Sequence, residues 1–123
     1  MSITEDTQTT AAILRDAAKV MIKGGYIAGI RYGEDTGNKT GSHCALGAIE
    51  VAAGMGRYSA NDRTPAVVAL AKTIAVINPS WLHEHHQTTV ANWNNQHYRT
   101  AKEVACVMRA TAKALEEESN DGK

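Results

Sequence analysis

The segment from His43 to Met55 constrains this chain most. Ala45, Leu46, Ala48, Ile49, Val51, Ala52 and Ala53 leave it almost no polar face. A helix that is apolar on most sides belongs in the middle of a bundle, because none of its sides gains from facing water. It therefore demands partners, and the rest of the chain supplies amphipathic ones. Gly47 inside it costs up to ~1 kcal/mol relative to alanine, a cost that close packing against another backbone offsets. Gly54 and Gly56 mark its end.

Residues 2 to 23 read as a first helix, with Ile13, Leu14, Ala17, Ala18 and Met21 on one face. Ser2 with Glu5 is a candidate capping box, Thr9 a competing start, and Gly24-Gly25 the stop. Thr64-Pro65 opens a helix over 65–77, with threonine at the N-cap and proline at the first helical position. Its apolar face is Val67, Val68, Leu70, Ala71, Ile74 and Ala75, and it stops at Asn78-Pro79. Thr100 with Glu103 forms a capping box that starts a helix over 101–118, faced by Val104, Val107, Met108, Thr111 and Leu115.

Between these lie less regular stretches. Residues 26–32 are β-prone and short, and read as an extended segment. The Gly-, Asp-, Asn- and Thr-rich stretch within 33–42 reads as a flexible loop. Residues 80–87 are polar, with Trp81 and Leu82 as expected anchors. Val90 to Trp93 forms a short helix or turn capped by Thr88 or Thr89, and the charged tail 117–123 is expected to fray. The expectation is a mainly α, compact single-domain bundle of about four helices over 1–123, with one short extended segment near 26–32.

Composition weighs against several functions. The chain contains no phenylalanine and 5% aromatic residues, so its core is built from Ala, Val, Ile, Leu and Met, which suits close-packed helices. Thirteen basic residues balance thirteen acidic ones, without the basic stripe that nucleic-acid binding uses. The polar, acidic start is unlike a signal peptide, and no apolar run approaches the ~18 residues of a membrane span. Cys44 and Cys106 are far apart, and free thiols in a cytoplasmic setting are the default.

Three segments together carry a resemblance. A helix ending at Gly24-Gly25-Tyr26 is followed by Cys44-Ala45-Leu46-Gly47-Ala48. Much later comes Trp93-Asn94-Asn95, then Arg99-Thr100 and Glu103-Val104. In these the chain, over roughly Ala11 to Ala114, resembles a family of small actinobacterial and actinophage proteins of unknown function (domain of unknown function 6197). The resemblance implies a bacterial or phage cytoplasmic setting and transfers no activity or catalytic residue. Asn95 stands where the family usually has aspartate, and the histidine-containing stretch from Trp81 to Gln87 is longer than the family's.

Cys44 is the one candidate nucleophile. A thiol at a helix N-terminus is favoured as thiolate, but it needs a base. His43 points roughly 100° away around the helix, leaving His83, His85, His86 or His97 to arrive through the fold. The preferred reading is a small buried hydrophobe beside Leu46. His83 and His86 are the candidate metal ligands, sharing a face if their segment is helical. Their spacing is not that of the helical zinc pair, and a solvated loop with no bound metal is preferred.

Trp93, Asn94, Asn95 and Arg99 are the candidate ligand-binding residues, supplying stacking, polar recognition and an anion partner. Against that, Trp93 can anchor the turn, an asparagine can bond loop backbone, and Arg99 can pair with Glu103 or a tail carboxylate. Arg57 and Arg63, with Arg31 and Lys39, are scattered charges that usually remain solvated. With no complete catalytic constellation, the expected function is a cytoplasmic accessory protein that binds a protein partner or small ligand, uses no cofactor, and has no membrane association. A homodimer is compatible with the Ala-rich second helix. The alternatives are a cysteine-dependent hydrolase or transferase using Cys44 and, more weakly, nucleic-acid binding.

Overall fold

The computed structural model describes residues 2–24, 44–96 and 99–121, with side chains from residue 9 to residue 118. Five α-helices account for most of it: α1 (Ser2–Gly24), α2 (Ala45–Ala53), α3 (Pro65–Ile77), α4 (His86–Asn94) and α5 (Ala101–Asp121). A 3-10 turn, Pro79–Trp81, joins α3 to α4. The described residues contain no strand. The expected extended segment at 26–32 and flexible loop at 33–42 lie outside the described residues, as do the side chains of the Ser2–Glu5 capping box.

The apolar helix takes the central place that its composition demands. Ala45 through Glu50 are all buried, and α2 packs against α1, α3 and α4. It is shorter than 43–55, because Cys44 is already extended and serves as N-cap. At the other end Gly54 adopts φ 69°, and the Gly54 and Met55 N–H groups close back onto the Val51 and Glu50 carbonyls. Glycine takes this left-handed conformation without a Cβ clash.

The longest helices pack most extensively on each other, α1 against α5. Leu14, Ala17, Ala18 and Met21 of α1 are buried, as are Val104, Ala105, Met108 and Ala112 of α5. Alanine at so many contact positions leaves little side chain between helices and allows their axes to approach closely. α5 continues past the expected Glu118 to Asp121. Arg15 anchors its far end through two bonds to Glu116, at 2.6 and 2.9 Å.

Thr64 is the N-cap of α3, with Pro65 in the first turn. Its hydroxyl serves the preceding turn instead of the helix, accepting the Asn61 N–H at 2.9 Å. Two expectations between α3 and α5 need correcting. Trp81 packs partly against the core, but Leu82 is exposed and anchors nothing. The short helix or turn expected at Val90–Trp93 is a nine-residue helix that begins earlier, at His86, so Thr88 and Thr89 are not its caps. Thr89 accepts the His83 N–H instead, at 2.9 Å.

Candidate functional site

Asn94 and Ala45 bring the two sequence motifs into contact. Asn94, in the last turn of α4, is 1% exposed. Its Oδ1 accepts the Ala45 N–H at 3.1 Å, and its amide donates to Asn95 Oδ1 at the same distance. Ala45 is the first residue of α2, so Asn94 occupies a donor that the helix leaves open. An amide from a distant helix thereby does the work of a local cap. Cys44, at the N-cap itself, makes no side-chain cap bond.

Trp93 and Arg99 form the next layer. Trp93 is 3% exposed. The Arg99 guanidinium lies 4.3 Å from the centre of its ring, a cation–π stack worth roughly 0.5–2 kcal/mol. Arg99 Nε also donates to the Trp93 carbonyl at 3.1 Å, and its outer nitrogen reaches Glu103 at 3.3 Å. Glu103 accepts the Thr100 N–H, while Thr100 Oγ1 accepts the Glu103 N–H, both at 3.1 Å. The reciprocal capping box and the Arg99–Glu103 pairing both match expectation. Of the four candidate binding residues, Asn95 alone has an exposed side chain beside a buried Trp93 and Asn94 and a mostly covered Arg99.

Cys44 is 5% exposed, and both cysteines are free thiols. The histidines of residues 83–86 sit at the other end of α4. That helix has nine residues from His86 to Asn94, a span of ~12 Å at 1.5 Å per residue. His83, His85 and His86 are thus at the wrong end of the helix to serve Cys44. His43 and His97 lie outside the described residues, as do Arg31 and Lys39.

The histidine segment is organised by a residue that the sequence did not single out. Asp62 accepts the Gln87 N–H in the first turn of α4 and contacts His85 Nδ1, each at 2.8 Å. The Gln87 N–H, chiefly, and then the bond to His85 hold the Asp62 carboxyl below its usual range. His83 Nδ1 is occupied as well, accepting the His85 N–H at 3.1 Å. His83 precedes α4, so the shared helical face with His86 does not form. Among the described residues no group of three or more His, Cys, Asp or Glu is placed to hold a metal ion.

Glu50 was also missed by sequence reasoning. It is fully buried in α2, and its two carboxylate oxygens accept the Tyr58 and Ala60 N–H groups, both at 2.9 Å. These bonds fold the 54–60 turn beneath the helix and hold Tyr58 at φ 63°, a left-handed conformation that costs roughly 1–2 kcal/mol outside glycine. The available signal was one acid in an otherwise apolar helix.

A cavity of about 290 Å³ opens on another side of α2. Ile13 of α1, Ile49 and Ala53 of α2, Met55, and Pro65 and Ala66 at the start of α3 supply its apolar wall, and Thr9, Thr10 and Thr64 also line it.

A central apolar helix, two long flanking helices and a short helix tied at both ends define a mainly α single-domain protein. The chain belongs to a family of unknown function, DUF6197, whose model matches residues 5–114. No curated protein and no solved structure matches it. No described helix is long and apolar enough to cross a membrane.

Proposed function

We propose that this protein is a small accessory protein, of bacterial or phage origin and acting in the cytoplasm, that binds a small, mostly apolar ligand without catalysis. The cavity between α1, α2 and the start of α3 carries this reading. Its volume of about 290 Å³ lies near the lower end of ligand sites, which run from roughly 300 to 1,000 Å³ and combine apolar walls with a few polar groups. In this reading Trp93, Asn94 and Arg99 position α2 and α5 and do not touch the ligand.

The test uses 1-anilinonaphthalene-8-sulfonate as probe, with Ala53→Phe to fill the cavity and Arg99→Ala as its counterpart. Saturable fluorescence is expected with the native chain. It should be lost in Ala53→Phe while that variant keeps its helical circular dichroism, and Arg99→Ala should retain it. A competing arrangement seats a partner or ligand on Trp93, Asn94, Asn95 and Arg99 together with the segment before Cys44. It predicts the reverse: loss in Arg99→Ala and retention in Ala53→Phe. Absence of saturable binding would overturn the cavity reading outright.

A further inference from the structure

The face built by α3 and α5 points to a second copy of this chain as its partner. Two depressions lie end to end in the groove between these helices, about 340 and 330 Å³ in volume. They share Ala69, Lys72, Leu115 and Glu118. One extends towards Pro65 and Val68; the other extends towards Val76 and Ala110. Val76, at the second end, is 83% exposed, and its neighbour Ile77 is also exposed. The second depression therefore has a projecting apolar side chain on its α3 flank and the small Ala110 and Ala114 on its α5 flank.

Its polar groups are arranged to suit burial. Thr111 Oγ1 donates to Thr73 Oγ1 at 2.8 Å, and Thr73 donates onward to the Ala69 carbonyl at 3.3 Å. Covering these hydroxyls strands no donor. Lys72 and Glu118 flank the groove from its two sides, where the depressions join. Both are exposed, and neither makes an ion pair among the described residues.

We propose that the chain forms a homodimer through this face, with the two-fold axis running along the groove between Lys72 and Glu118. An isologous interface must be self-complementary, and this axis satisfies that requirement in three ways. It sets Lys72 of each copy opposite Glu118 of the other. It lays α3 of each copy across α5 of the other. It also brings the projecting Val76 of each copy against the small Ala110 and Ala114 of α5 in the other. The opposite charges on the two flanks favour this pairing over a partner of one sign, which would leave one flank repelled.

The test is sedimentation velocity over a concentration series. The native chain is expected to pass from monomer to dimer. Val76→Asp should remain monomeric, and at concentrations where the native chain is also monomeric it should unfold at the same midpoint, since the side chain is exposed. Lys72→Glu and Glu118→Lys should each weaken the dimer roughly tenfold, because each contact occurs twice across the axis. The double reversal should restore it. A native chain that stays monomeric at every concentration overturns the proposal. So does a dimer that survives Val76→Asp, or a double reversal as weak as the single ones. Probe binding in the cavity beside α2 is a separate readout, so failure here leaves the ligand proposal standing.

Discussion

Asn94 holds two distant parts of the chain with one side chain, and its replacement separates acceptor from donor. Asn94→Leu leaves the buried Ala45 N–H without its Oδ1 partner, which costs about 1–3 kcal/mol. Asn94→Asp keeps an oxygen in place, and the helix dipole favours its charge, but it loses the donor to Asn95 Oδ1 and buries a charge. Urea unfolding should therefore rank the native chain first, Asn94→Asp next and Asn94→Leu last. An Asn94→Leu midpoint equal to the native one would show that the bond contributes nothing. The Thr100–Glu103 box was legible in the sequence because its partners are three residues apart. Asn94 and Ala45 are 49 apart, and no local pattern marks such a pair. Glu50 is similar: its partners lie in the following turn, but only the folded turn aims two N–H groups at one carboxylate.

At the scale of elements, α4 shows why the first half of a helix can be missed. It starts with His86 and Gln87, and its N-cap, His85, makes no side-chain cap bond. Its apolar residues Val90 and Trp93 suggest only its second half. What starts it is Asp62, which lies in the turn before α3 and reaches Gln87 across the fold. The strongly apolar α2 and the proline-started α3 were legible because their signals are continuous in sequence. The Asp62 carboxyl is depressed, chiefly by the Gln87 N–H and then by His85. A carboxyl depressed in the folded state adds stability that is complete above its unfolded value of about 3.9. That contribution is lost as pH falls through the lower folded value. Asp62→Asn keeps an acceptor for Gln87 but removes the titration. The native chain should be the more stable at pH 7, and the gap should narrow as pH falls below about 4. Thermal unfolding midpoints for the two proteins between neutral pH and pH 3 would measure it. A gap that is constant with pH would place the stabilisation elsewhere.

For the whole molecule, the governing fact is a core made largely of alanine. Ala17 and Ala18 of α1, Ala45 and Ala48 of α2, and Ala105 and Ala112 of α5 are all fully buried. With no phenylalanine in the chain and Trp93 packed at the edge beneath Arg99, few large side chains separate the helices. Such a core resists enlargement as well as loss. Removing a large side chain, as in Met108→Ala, leaves a cavity and costs about 2–5 kcal/mol. Adding one, as in Ala48→Leu or Ala105→Leu, forces helices apart that are held at several other contacts, and costs about 1–3 kcal/mol. The enlarged variants should therefore lose stability despite burying more apolar surface, the opposite of what transfer free energy alone predicts. Urea midpoints for Ala48→Leu, Ala105→Leu and Met108→Ala decide the matter. If the two leucine variants match or exceed the native chain, the helices have room to spare and alanine does not set their separation. If all three fall, close approach around α2 is the condition that the composition meets.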